Sequence, residues 1–128
     1  MCFFFGGYGG SSHMSQIINA SEYAYDIDRN HTFYNLSAWI GGFANQDDAA
    51  SITLSFLNSN STEINGTAVT IGPVYASDRG SVTKLLFRQA SGLVPPNIRY
   101  LNVLLTTIRS FGSCDAYVDN IEVILNHI

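Results

Sequence analysis

Apolar and polar residues alternate with a period of two over much of this chain, the spacing of a strand with one buried face. Ala50, Ile52, Leu54 and Phe56 against Ser51, Thr53 and Ser55 give the cleanest case. Over residues 32–40, Tyr34, Leu36, Ala38 and Ile40 share one side and Phe33, Asn35, Ser37 and Trp39 the other. That pattern predicts a strand with the first set in the core and Trp39 emerging outward just before Gly41-Gly42. Residues 98–108 carry apolar side chains on both sides, as expected of a strand covered on both faces. The final stretch, residues 114–125, places Ile121, Val123 and Leu125 on one side. Strict alternation puts Tyr117 and Asp119 on that same core face, where a carboxylate needs a strong partner.

Shorter strands are predicted at residues 2–5, 13–19, 63–71 (with a break at Asn65-Gly66) and 82–88. Between them lie the glycine cluster 6–10, a loop over 20–31 with a short helical turn, a polar connection over 43–48, a turn at 58–61, and Gly72-Pro73. A loop through Ser91-Gly92 and Pro95-Pro96 follows, then a turn at Phe111-Gly112-Ser113. About eight short strands punctuated in this way argue an all-β protein, an antiparallel β-sandwich. At 128 residues the chain fits one domain, residues 1–128.

Composition narrows the partners. Charged residues make up only 12% and the net charge is −4, with a single lysine, Lys84. No basic stripe is present to track a phosphate backbone, so nucleic acid is not an expected partner. No apolar run approaches the length of about 20 residues needed for a membrane-spanning helix. Five N-x-S/T triplets, at Asn19, Asn30, Asn35, Asn60 and Asn65, are candidate glycosylation sites. Cys2 and Cys114 either bridge, closing a long loop, or remain two buried thiols; the otherwise secreted character of the chain favours the bridge and an extracellular or cell-surface location.

Candidate chemistry is sparse in groups that catalyse. His13, His31 and His127 are isolated in the sequence, and neither H-E-x-x-H nor G-x-S-x-G occurs, so no enzyme is expected. Oxygen-rich loops suit calcium, which takes six to eight hard ligands; Asp47, Asp48, Asp115 and Asp119 are the candidates for a structural site. The alternative for Asp119 is a set of backbone hydrogen bonds, or an ion pair with Arg79 or Arg109. For sugar binding, Trp39, Tyr8 and Phe43 would supply apolar faces, while Gln46 and Asp47 would bond hydroxyls. Against that stands the reading that Trp39 packs beneath the glycine loop as ordinary core.

The ordered series Leu36-Ser37-Ala38-Trp39-Ile40-Gly41-Gly42, Gln46-Asp47-Asp48, Ile71-Gly72-Pro73-Val74, Asp78-Arg79, Val94-Pro95 and Tyr117-Val118-Asp119-Asn120-Ile121 resembles the galactose-binding-like jelly-roll modules of extracellular proteins. Such modules occur in bacterial surface proteins and small hemagglutinin-type lectins. The resemblance covers most of the chain and implies a jelly roll. It also implies a non-catalytic, carbohydrate-facing or adhesive role, often with a structural calcium. Glycans or neighbouring extracellular protein domains are then the expected partners. A second function class is a structural building block, packing through its sheet faces and edges against other domains or against copies of itself as a homo-oligomer.

Overall fold

The computed structural model describes residues 3–7, 11–42, 49–64, 66–108 and 114–127. Among the described residues there are eight strands: β1 (Phe3–Gly7), β2 (Ser11–Asn19), β3 (Thr32–Gly42), β4 (Ala49–Leu57), β5 (Val69–Ile71), β6 (Lys84–Leu93), β7 (Tyr100–Ile108) and β8 (Cys114–His127). They form two antiparallel four-stranded sheets, in the orders β1-β8-β3-β6 and β2-β7-β4-β5. This is the jelly-roll arrangement, in which most neighbours within a sheet are distant in sequence.

Alternation explains the core. Tyr34, Leu36, Ala38 and Ile40 of β3 face Ala50, Ile52, Leu54 and Phe56 of β4, and all eight are buried. The rings of Tyr34 and Phe56 meet across the layers with centroids 5.3 Å apart. Val74, Val94, Ile98, Leu101 and Val118 complete the apolar interior. Between β2, β7 and β8 the layers part, leaving a cleft of about 500 Å³ lined by Ile18, Val103, Leu105, Ile121 and Val123, with Ser15 and Gln16.

The stretch before β3 forms a short helix, α1 (Ala24–Asp28), whose Ile27 is buried in the core. It is anchored at its end by charge. Arg99 grips the Asp28 carboxylate with both terminal nitrogens, at 3.0 and 2.7 Å, and the Asn97 N–H donates to the same group at 2.8 Å. The Arg99 hydrogen bond, helped by that of Asn97, holds the Asp28 carboxyl below its ordinary pKa. A depressed pKa stabilises the fold above the unfolded value of about 4, and this is lost as pH falls through the folded value. Because the carboxylate is 39% exposed, solvent screens the pair. Asp28→Asn should therefore cost at most about 1 kcal/mol at pH 7. In urea melts that deficit should shrink toward zero below about pH 4; a deficit independent of pH would contradict this account.

Two local readings of the sequence are corrected. Ser91-Gly92, expected in a loop, continue β6 opposite Asn35 and Tyr34. A Cβ on Gly92 would come 2.9 Å from the Tyr34 hydroxyl oxygen, so this glycine lets an aromatic ring lie over the strand. The strand expected over 63–71 is reduced to Val69–Ile71 and a single bridge between Glu63 and Leu57.

Gly41 marks a close approach of β3 to β6: a Cβ there would lie 1.9 Å from the Lys84 carbonyl oxygen. Because the obstacle is backbone, relief requires the two strands to separate. Gly41→Ala is expected to destabilise by about 2–4 kcal/mol, read as a fall in the denaturation midpoint. An unchanged midpoint would show that the strands have room to spare.

Candidate functional site

The outward side of the β1-β8-β3-β6 sheet is built from the non-core positions of its strands. Pairing across the sheet aligns Asp119, Trp39 and Phe87 in one row, Glu122, Ser37 and Gln89 in a second, Ile124, Asn35 and Ser91 in a third, and Asn126, Phe33 and Leu93 in a fourth. Residues directly opposite on antiparallel strands share a face. Trp39 is 42% exposed and Phe87 43%, and Phe33, Leu93 and Ile124 are similarly open. Trp39 thus stands on the outer face and is not core. Its ring lies 5.4 Å from that of Phe87, tilted by 59°, a favourable aromatic geometry that leaves both rings accessible. Between the two apolar ends lie exposed Gln89, Ser91 and Glu122 with half-buried Asn35, Ile124 standing beside Asn35 and Ser37 buried beneath.

A bulge sets the place of Asp119. From Ser37 to Trp39 is two steps on β3, but their partners Glu122 and Asp119 are three apart on β8. Asn120, with φ of 51°, is the residue that makes this possible, since Asn tolerates the left-handed region. The extra residue breaks the alternation, so Val118 and Ile121 both belong to the core while Asp119 turns to the face of Trp39. Asp119 does not share a face with Ile121, as strict alternation required. It is nevertheless buried, at 3% exposure. Its Oδ1 accepts the Asn120 N–H at 2.9 Å, and its Oδ2 has no hydrogen-bond partner.

Arg79, one of the proposed partners of Asp119, instead lies fully buried in the 3-10 turn Ala76–Arg79. Its Nη1 donates to the carbonyls of Gly42 at 3.0 Å and Val82 at 2.6 Å. It thereby ties the end of β3, three residues past Trp39, to the segment entering β6.

Tyr8, Phe43, Gln46, Asp47, Asp48, Arg109 and Asn65 lie outside the described residues, as do Cys2 and the side chains of Cys114 and Asp115. Of the expected sugar-binding set, Trp39 alone is described; of the calcium set, Asp119 alone. No cluster of three metal-ligating side chains occurs among the described residues. The β1–β8 ladder runs from Phe3 opposite Asp119 to Gly7 opposite Cys114. First and last strands therefore meet.

Asn19, Asn30 and Asn60 are exposed. Asn35 is partly buried on the outer face, with its Oδ1 enclosed. Phe87 and Leu93 are site residues that the sequence reading missed. Their signal is the alternation Leu85, Phe87, Gln89, Ser91, Leu93; a strand ending at Arg88 leaves out Leu93, and Phe87, inside residues 82–88, carries no facing assignment.

No protein-family model and no curated protein sequence matches this chain. Among solved structures, it is similar to the "Family 16 Carbohydrate Binding Module-2", with a TM-score of 0.62 and 17% identity over 95% of this chain and 74% of that one. The enzymatically active domain of tailspike protein 4 of bacteriophage CBA120 gives 0.63 and 13%, over 91% of this chain and 14% of that one. A structure of the infectious bursal disease virus Gx strain gives 0.59 and 10%, over 96% and 30%. The likeness is one of fold. This chain spans only a small part of the tailspike and viral chains. Among the described residues, no helix is long and apolar enough to cross a membrane.

Proposed function

We propose that this chain is a non-catalytic, extracellular carbohydrate-binding module that takes glycans on the outer face of the β1-β8-β3-β6 sheet. The observation that carries the reading is the solvent-open Trp39–Phe87 pair beside a strip of hydroxyl and amide side chains. Aromatic faces pack against the C–H surfaces of sugar rings, and Ser, Asn and Gln both donate to and accept from hydroxyls. Large side chains left open on a regular sheet cost solvation and contribute nothing to the core, which points to a partner. The interlayer cleft suits sugar less well, since aliphatic side chains dominate its lining. The fold shared with a carbohydrate-binding module agrees with this reading.

A glycan attached at Asn35 would cover the same face, so sugar binding there requires Asn35 to be unmodified. A structural calcium held by the loop carboxylates remains part of the proposal. An array of immobilised glycans, probed with and without chelator, tests both. Binding to at least one glycan class is expected, with loss in chelator if calcium orders the fold; an array without signal in either condition overturns the reading.

The building-block reading has one observation of its own. Among the described residues, β1 pairs with β8 only as far as Asp119, and residues 122–127 of β8 have partners on β3 alone. An unpaired edge can add a strand from another chain. Light scattering on the same sample separates the two: a monomer that binds glycans favours the first reading, and a defined oligomer without glycan binding the second.

A further inference from the structure

We infer that the ligand of this face is an extended, uncharged glycan lying along β3 and touching both of its apolar ends. The inference rests on the sugar-binding reading and adds the length and charge of the ligand. Trp39 and Phe33 are six residues apart on one continuous strand, about 20 Å at the rise of a strand. Phe87 stands opposite Trp39 at one end, and Leu93 stands opposite Phe33 at the other. A single sugar ring covers one end only. Several linked rings reach both, and the polar side chains of Gln89, Asn35 and Ser91 lie beneath the path between them.

Charge decides the class. Asp119 and Glu122 are the charged residues on this face among those described, and both are acidic. The basic residues of β6 fall on the opposite alternation: Arg88 pairs with the core residue Ala38, and Lys84 with Gly42. No described cation on the face can therefore meet a uronate or a sulfate, and a ligand anion would be repelled by the carboxylates. Because the contacts stand on paired strands, the face is set before the ligand arrives, and a stiff linear chain loses little freedom in matching it.

The test is calorimetry with neutral linear oligosaccharides (glucan, mannan and xylan fragments, from monosaccharide to hexasaccharide) and with oligogalacturonates of equal length. Affinity for the neutral chain that binds should rise at least about tenfold from disaccharide to hexasaccharide, and the oligogalacturonates should bind at least about tenfold more weakly. One chain touching both ends predicts that Phe33→Ala lowers hexasaccharide affinity about fivefold and Trp39→Ala at least about tenfold. Both residues are exposed, and circular dichroism would confirm that each variant remains folded. Binding that is independent of length and untouched by Phe33→Ala overturns the extended ligand while leaving sugar binding at Trp39 intact. Preference for the oligogalacturonates overturns its neutrality. Failure of every sugar to bind overturns the proposed function itself.

Discussion

Trp39→Ala should lower glycan affinity by at least about tenfold, or about 1.4 kcal/mol, and move the thermal midpoint by no more than a few degrees. The two halves of this expectation come from the same strand. The core positions of β3 are Tyr34, Leu36, Ala38 and Ile40, so truncating an outer-face residue opens no cavity between the sheets. On the outer face the same change removes the largest flat surface of the aromatic pair and leaves Phe87 alone. Tryptophan anchors commonly dominate binding surfaces of this kind. Trp39→Phe should recover part of the affinity because an aromatic face is kept. Calorimetry and thermal melts on the three proteins check the pattern; an alanine variant that binds within twofold of wild type would remove Trp39 from the site.

Arg79→Ala should destabilise by about 3 kcal/mol, the largest effect expected of a single side chain outside the apolar core. Arg79 is 1% exposed and is among the largest fully buried side chains. Truncation leaves a cavity and strips the Gly42 and Val82 carbonyls of a charged donor. Hydrogen bonds to charged groups contribute about 1.5–3 kcal/mol, and the lost volume adds to that. Arg79→Lys should rescue only in part, because the shorter, strongly hydrated ammonium is costlier to bury than the guanidinium whose Nη1 serves both carbonyls. Since Gly42 ends the strand that carries Trp39, the variant should also weaken glycan binding beyond its effect on the fraction folded. Urea denaturation read by circular dichroism measures the first effect; a midpoint equal to that of wild type would contradict it.

The strands with one wet and one dry face were legible in the sequence because their apolar residues follow period two, although Ser37 and Ser55 on the polar side are also buried. Over β3 and β4, alternation placed Tyr34, Leu36, Ala38, Ile40, Ala50, Ile52, Leu54 and Phe56 in the core and sent Phe33 and Trp39 outward, with Asn35 half-buried. Where the backbone departs from regularity, the pattern misled. One added residue at Asn120 moved Asp119 from the face of Ile121 to that of Trp39, and nothing in the side-chain pattern marks a bulge that Asn can accommodate as readily as Gly. Gly92 signalled a loop by composition, whereas its role is to make room for the Tyr34 ring within a strand. That error cut β6 short and hid Leu93, while Phe87, inside the expected strand, lacked a face assignment. Of the alternatives for Asp119, the backbone hydrogen bond is the one found, from the Asn120 N–H, while Arg79 reaches the Gly42 and Val82 carbonyls.

Trp39 is the single tryptophan of the chain, so its emission reports on the proposed site directly. The decisive measurement is a fluorescence titration with whichever neutral glycan binds most tightly, run beside calorimetry on the same sample. If sugar packs over the outer face of β3, Trp39 loses water, its emission shifts to shorter wavelength, and the shift saturates with the calorimetric Kd. Glycan binding that is plain in the calorimeter but leaves Trp39 emission unchanged would place the site elsewhere on the molecule and contradict the account.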